Sequence, residues 1–334
     1  DNKGNCIVSD MTTVSKTHRR LSLFGNPVVL KELRGRMRGP RAFVVLTVYL
    51  LLMSGFAALL YVLFTAQVSA YGYAATGRIG QTLFIGVVGM ELFLVTFIAP
   101  SFTASAITGE RERQTYDLLR TTTLRASSLV IGKLTSALSY VMLLLLAAVP
   151  LQSIAFLFGG VTEIELVLSF AILVVTAVAL GAVGIYFSAL VQRSVTASVL
   201  TYAFALFVTL GLPLIAFIVL SFALPVLGIN PYGPTSISLA GQALLVYGFG
   251  FFICTNPLAT ALFTEMYILT PGLVHSGSPI GYFTQTLTYS SPTGPSSSVS
   301  LPLVSPWIGF TVFYLVLSGI LVLLAIRRVR KIDR

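Results

Sequence analysis

The sequence contains few charged residues. Only 10% of its 334 residues are Asp, Glu, Lys or Arg, whereas a typical soluble domain contains about 25%. Hydrophobic residues make up 56% of the chain, and the mean hydropathy is +0.91. Several uncharged runs reach the length of about 20 residues that a helix needs to cross a bilayer. This composition excludes an ordinary soluble domain and predicts an all-α polytopic membrane protein.

Cysteine and histidine are also scarce. The only examples are Cys6, Cys254, His18 and His275. These residues are too far apart for any Cys/His metal-binding spacing, so we expect neither a bound metal nor a disulfide bond. His275 and Glu265 have no nucleophile or second carboxylate at a useful spacing. Because acid–base and nucleophilic catalysis need converging groups, we expect no catalytic site.

A phosphate-binding loop is absent as well. Such a loop needs glycines whose backbone N–H groups surround the phosphates, followed by Lys and then Ser or Thr. The single Gly-Lys pair, Gly132–Lys133, is followed by Leu134 and begins an apolar run. We therefore expect that the chain itself binds no nucleotide through such a loop.

Six apolar segments predict six transmembrane helices within a transmembrane domain over residues 41–334. Several segments are longer than the ~20 residues needed to cross a bilayer, which predicts tilted helices. The predicted spans lie near residues 43–65, 79–107, 129–158, 165–190, 197–224 and 307–326.

The distribution of Lys and Arg predicts the orientation of these spans. Of the 21 Lys and Arg residues, only Arg78 falls on the second side of the membrane if the spans alternate. The connections 159–164 and 225–306 contain none. The positive-inside rule then places both termini in the cytoplasm and requires an even number of crossings. The net charge of +10 is thereby explained by the membrane surface, and we expect no nucleic-acid partner.

The external segment 225–306 contains further apolar residues. Residues 243–252 and 259–269 could form helices, interrupted at Asn256–Pro257. One additional crossing would place the C-terminal basic cluster outside, so we expect a re-entrant or surface hairpin; a full two-helix hairpin would also preserve parity. Residues 271–306 are rich in Ser, Thr, Gly and Pro, which predicts an external loop.

Residues 26–40, which follow a predicted cytoplasmic tail over 1–25, predict an amphipathic interfacial helix. Asn26 can cap this helix, and Pro27 suits its first position. Its apolar side chains share one face opposite charged residues, which is typical of a helix in the headgroup plane. Two interpretations remain open, a topogenic anchor and a mechanical role. The apolar residues are Val29, Leu30, Leu33 and Met37.

The connection 108–128 also predicts a helix with a narrow apolar face. Thr115, Leu118, Leu119 and Thr122 recur at helical spacing. A connection between two spans needs such a face only if another surface packs on it. That surface could be the headgroup layer or a groove on a soluble partner protein.

Two segments resemble the type-2 permeases of ATP-binding-cassette (ABC) transporters. The first is NPVVLKELRGRMRG before the first span, and the second is ITGERERQTYDLLRTTTLRASSLVIGKL between the second and third spans. The chain end AIRRVRK is similar as well. The resemblance covers residues 26–200 well and 307–331 loosely, and it leaves 225–306 outside.

This resemblance implies a permease subunit, of exporter type, in the bacterial cytoplasmic membrane. ATP and Mg²⁺ would bind a separate cytoplasmic ATPase subunit, and the permease would pair with a second copy or a paralogue. The amphipathic helix would be a connecting helix containing Lys31, Glu32 and Arg34. The loop after the second span would dock a coupling helix into the ATPase. Its coupling residues would be Glu110, Arg111, Glu112, Arg113, Thr115, Tyr116, Leu118 and Leu119.

Glu91 is the single acid well inside a predicted span, about 18 Å from its start at 1.5 Å per residue. An ionisable group at that depth suggests a functional site. It could line a transport path, or it could be a neutral carboxyl group hydrogen-bonded to a neighbouring helix.

Two further features predict local geometry inside the spans. Ala177, Gly181, Gly184 and Ser188 repeat at near-helical spacing. Such small residues are typical of close helix packing, against either the same chain or a second copy. Pro213 predicts a kink in the fifth span because it removes one intrahelical hydrogen bond.

Two alternatives to an ABC permease follow from the same residues. An accessory or structural subunit of another membrane complex could use a permease-like fold, and the segment 225–306 favours it. A proton- or ion-driven carrier is less favoured, because such relays usually need several acids within the membrane.

Overall fold

In the part of the chain that the structure describes, six helices are long and apolar enough to cross a membrane, as the composition predicts. The computed structural model describes residues 40–71, 76–114, 126–226, 239–269, 282–289 and 297–332. The predicted amphipathic helix lies outside these residues except for Pro40, at which the first helix begins.

The six spans begin and end within a few residues of the predicted boundaries. The fifth is divided by a short π-helical segment, Phe207–Gly211. The helices are Pro40–Tyr71, Thr76–Thr103, Ala126–Leu157, Glu163–Leu190, Ser194–Leu206 with Leu212–Val226, and Pro306–Ile332. They are called the first to sixth spans below.

The fourth span lies at the centre of the bundle. Its most apolar window is 67% buried, more than that of any other span in the described part of the chain. A Cβ atom added at Gly184 would lie 2.1 Å from Thr103 Oγ1 on the second span. Only glycine permits this approach, so the small residues of the fourth span pack against a helix of the same chain.

The fifth span departs from α-helical geometry next to Pro213. Because proline has no N–H group, the carbonyl of Thr209 loses its α-helical partner. The side-chain amide of Asn256 donates hydrogen bonds to the carbonyls of Val208, at 2.5 Å, and Thr209, at 3.1 Å. A side chain from elsewhere in the chain therefore replaces the missing backbone donor.

Asn256 is the break point of two consecutive helices, Leu239–Thr255 and Pro257–Leu269, which we call the broken hairpin. Their axes are bent by 117°. The second helix has 13 residues, too few to cross a bilayer, which takes about 20. Tyr314 on the sixth span donates a 2.6 Å hydrogen bond to the Thr255 carbonyl. This geometry agrees with the predicted hairpin and favours its re-entrant form.

An antiparallel β-ribbon occupies part of the segment that the sequence predicts as a loop. Its strands are Tyr282–Tyr289 and Ser297–Val304, paired from Tyr282 with Val304 to Tyr289 with Ser297. Tyr, Phe and Thr in the first strand and Val in the second suit a pleated surface. The abundance of Ser and Pro concealed this signal, so the ribbon within the predicted external loop was not expected from the sequence.

The two ends of the bundle differ in charge. Ile107, Val130, Ala325 and Val329 form one apolar cluster. These contacts place the connection after the second span and the C-terminal basic residues at the same end, which we call the basic end. At the opposite end, Gln81 donates a 2.8 Å hydrogen bond to the Gly160 carbonyl, and the fourth span begins.

Candidate functional site

The connection after the second span is anchored to the fourth span through Ser188. The second span ends at Thr103, and a turn over residues 104–107 leads to a short helix, Thr108–Glu112. The first N–H groups of a helix have no partner within that helix. Ser188 Oγ accepts hydrogen bonds from the N–H groups of Ile107, at 2.9 Å, and Thr108, at 3.1 Å.

A buried ion pair connects the same segment to the third span. Lys133 Nζ lies 2.6 Å from Glu110 Oε1, and the lysine side chain is only 4% exposed. Removing either residue takes away a charged contact of a buried lysine, which is destabilising. The pair therefore fixes the position of the connection relative to the third span.

A third contact connects the segment to the fifth span. The Glu112 carboxylate accepts hydrogen bonds from the backbone N–H of Ser194, at 2.7 Å, and from its hydroxyl group, at 2.6 Å. Ser194 is the first residue of the fifth-span helix, where the helix dipole stabilises a negative charge. These hydrogen bonds and nearby Arg193 lower the pKa of Glu112, so the carboxylate stays ionised at neutral pH.

Arg111 and Arg113 differ in their environment. Arg111 Nη1 donates a 3.3 Å hydrogen bond to the Val191 carbonyl at the end of the fourth span. Arg113 and Gln114 are exposed. Gln114 has a φ angle of 57°, a left-handed conformation that ends the short helix.

We call residues 104–114 the latch, because they are held by three spans at once. Of the predicted coupling residues, Glu110, Arg111 and Glu112 contact this chain, whereas Arg113 faces outward. The remaining predicted site residues lie outside the described residues. They are Lys31, Glu32, Arg34, Thr115, Tyr116, Leu118 and Leu119.

Sequence reasoning missed both partners that hold the latch most directly. Ser188 was interpreted only as a small packing residue, and Lys133 only as a basic residue flanking a span. The position of Lys133 seven residues into the apolar third-span helix was a signal, because a lysine there needs a partner. No local pattern identifies Ser188, which lies 81 residues from Ile107.

The fifth span leaves an open cavity beside the latch. The cavity has a volume of about 610 Å³, and Ser105, Ser194, Ser198 and Tyr202 contribute to its lining. The most apolar window of the fifth span is only 11% buried. Much of this span is therefore accessible to lipid or to another protein.

Glu91 is fully buried among the first three spans. Its exposed fraction is 0%, and so is that of Gln152 on the third span. The Gln152 side-chain amide donates a hydrogen bond to the Glu91 carboxyl group, and the Tyr49 hydroxyl group lies near the same carboxyl group. These contacts fit the interpretation of Glu91 as a polar contact between helices.

Comparisons with known proteins leave this chain without an assigned family. No protein-family model matches it, and no match was found among curated proteins. Function is therefore inferred from the contacts of the described residues, above all from those of the latch.

Proposed function

We propose that this chain is the membrane-spanning permease subunit of an ATP-driven ABC transporter of exporter type. The observation that carries the proposal is the latch, which connects the loop after the second span to the third, fourth and fifth spans. A force applied to this loop is transmitted to three helices through Lys133, Ser188 and Ser194. Coupling between distant sites requires such a contiguous packed network.

In this proposal, residues 115–125 dock on a cytoplasmic ATPase subunit, and the latch passes their displacement to the bundle. Glu112 pulls on the start of the fifth span. Glu110 connects the latch to the third span, and Ser188 connects it to the fourth. Little of the fifth span is buried, so its movement is opposed mainly by its inner face and by the hydrogen bonds from Asn256. Repeated docking and release would rock this helix in an alternating-access cycle.

The nucleotide and the partners follow from the same proposal. The sequence lacks a phosphate-binding loop, so ATP and Mg²⁺ bind the ATPase subunit. The exposed apolar surface of the fifth span, which includes Phe207, Phe217 and Phe222, is suited to a second permease copy or a paralogue. Such a surface can face either lipid or a neighbouring subunit, because lipid tails are as apolar as these side chains.

The charge distribution supports an orientation with the basic end in the cytoplasm. The latch and the C-terminal basic residues share that end, as the positive-inside rule requires for cytoplasmic segments. The bacterial cytoplasmic membrane, with both termini inside, is accordingly part of the proposal.

The Glu110–Lys133 ion pair provides a specific test. Glu110→Lys places two cations together at a buried site, whereas Glu110→Lys with Lys133→Glu restores a pair of reversed polarity. We expect the single variant to lose permease-dependent stimulation of ATP hydrolysis in the complex purified with its ATPase chain. The double variant is expected to recover a substantial part of that stimulation.

The control for this experiment is Glu163→Lys, a charge reversal at an exposed position at the opposite end of the bundle. It should leave ATP hydrolysis unchanged, and size-exclusion profiles should show that all variants fold. Normal stimulation in Glu110→Lys would contradict transmission through the latch.

An accessory or structural subunit of another membrane complex is the second candidate function. The broken hairpin and the β-ribbon favour it, because both belong to the segment 225–306 that lies outside the resemblance. Purification from native membranes distinguishes the two. Co-purification of ATPase chains supports the transporter, and other partners without an ATPase support the accessory subunit.

A further inference from the structure

A groove lies between the first two spans and the second helix of the broken hairpin. Its volume is about 420 Å³, within the range of small-molecule binding sites. Its lining is apolar except for one carboxyl group. The residues that define its walls are Phe56, Gly89, Phe93, Leu258, Leu262 and Glu265.

Glu265 is the polar group of this groove. The residue is only 8% exposed, and the described part of the chain provides it with no hydrogen bond or ion pair. Another acid, Glu165, interacts with it unfavourably. Burying a carboxylate without a partner is costly, so a cation at this position would be stabilised.

The groove has its carboxyl group at one end and its apolar walls toward the other. Asn256 anchors one end of the hairpin helix to the interior of the fifth span, whereas Glu265 lies near Glu165, at the start of the fourth span. The wall formed by the second span runs from Ile85 to Phe93, about 12 Å at 1.5 Å per residue. The carboxyl group is thus near the end of the bundle at which the fourth span begins, and the apolar walls extend toward the middle of the helices.

The charges around the groove favour a positively charged ligand. The connections 159–164 and 225–306 contain no Lys or Arg, and acids are present at Glu163, Glu165 and Glu265, so Arg78 is the single cation that the sequence places on this side. A headgroup with a net negative charge would be repelled here, whereas an ammonium group would be attracted.

We propose that the groove is a lateral binding site for an amphiphile with an alkyl chain and a protonated amine. The alkyl chain lies along Gly89 and Phe93, and the ammonium group donates hydrogen bonds to the Glu265 carboxylate. The site requires neither ATP nor an ATPase subunit, so it stands or fails independently of the proposed transport function.

Photoaffinity labelling of the purified protein in phosphatidylcholine nanodiscs tests this site. The probe is a dodecylamine with a diazirine near the end of its chain, and the matched probe is the corresponding dodecanol. We expect the amine to label groove residues such as Phe93 and Leu258, located by mass spectrometry. Glu265→Gln should reduce this labelling about tenfold or more, because a buried charge pair is lost.

Two glycine variants separate occupancy of the groove from general contact with lipid. A Cβ atom added at Gly89 meets no atom within 4 Å, and the same holds at Gly319 on the sixth span, away from the groove. Gly89→Leu fills the groove and should abolish labelling, whereas Gly319→Leu should preserve it. Glu265→Gln removes a repulsion from Glu165, so the variant is expected to fold.

Competition identifies the source of the amine. Displacement of the probe by phosphatidylethanolamine would identify a bilayer lipid, and displacement by free alkylamine alone would identify an amphiphile from solution; both support the site. Equal labelling by the amine and the alcohol, or labelling that persists in Glu265→Gln, would overturn the proposal.

Discussion

Asn256 uses its whole side chain to join two elements. Its amide donates to the carbonyls of Val208 and Thr209, while its Oδ1 accepts a 2.9 Å hydrogen bond from the N–H of Ala259 and so caps the second hairpin helix. The sequence identified Asn256–Pro257 as a break and Pro213 as a kink. The sequence could not show that the Asn256 amide supplies the hydrogen-bond donor that Pro213 lacks, because the two positions are distant in the chain.

This arrangement predicts an interaction between two substitutions. Asn256→Ala leaves two buried carbonyls without donors, so we expect it to reduce the free energy of unfolding by about 1–3 kcal/mol. Pro213→Ala returns a backbone N–H group to the fifth span, so the loss should be smaller in the double variant. Equilibrium unfolding in detergent measures the four members of this cycle.

Thr255→Ala is the matched control, since the Thr255 hydroxyl only contacts the Phe252 carbonyl of its own helix. It should change stability little in either background. Equal losses for Asn256→Ala with and without Pro213 would show that the amide does not replace the missing donor.

At the scale of elements, the features that depend on neighbouring residues could be predicted from the sequence, and the contacts between distant residues could not. The spans were predictable because their length and lack of charge are local properties. The break of the hairpin was predictable because an Asn-Pro pair interrupts a helix wherever it occurs. The latch contacts were not predictable, since Glu112 and Ser194 are 82 residues apart in the chain. The β-ribbon was missed because its composition resembles that of a loop.

The latch itself predicts a local exchange signal. The amide N–H of Ser194 donates to Glu112, so hydrogen exchange at this position should accelerate in Glu112→Ala. The Ala197 amide, which donates to the Arg193 carbonyl within the helix, should keep its protection. Unchanged exchange at Ser194 would count against this contact.

The pH dependence of the latch follows from the lowered pKa of Glu112. A group whose pKa is lower in the folded protein contributes stability above its unfolded pKa, about 4.3 for Glu. That contribution is lost as the pH falls through the folded pKa. The Ser194 amide should therefore keep its protection at neutral pH and lose it only under strongly acidic conditions, after correction for intrinsic exchange.

At the scale of the whole molecule, the proposed transport function depends on which end of the bundle faces the cytoplasm. Packing places Arg111 and Arg327 at one end and Glu163 at the other. We expect single cysteines at Arg111 and Arg327, in a variant without Cys6 and Cys254, to resist an impermeant maleimide in intact cells. A cysteine at Glu163 should react. Labelling of Arg111 and Arg327 from opposite faces would contradict the even number of crossings.

The bond between Asn256 and the fifth span also has a consequence for biosynthesis. Val208 is translated 48 residues before its partner, so the fifth helix leaves the ribosome before the side chain that donates to its unpaired carbonyls has been made. Lipid offers no substitute donor, and each unpaired carbonyl is costly there. The helix should therefore stay beside the insertion machinery until the hairpin emerges, which makes the order of translation a determinant of how this bundle closes.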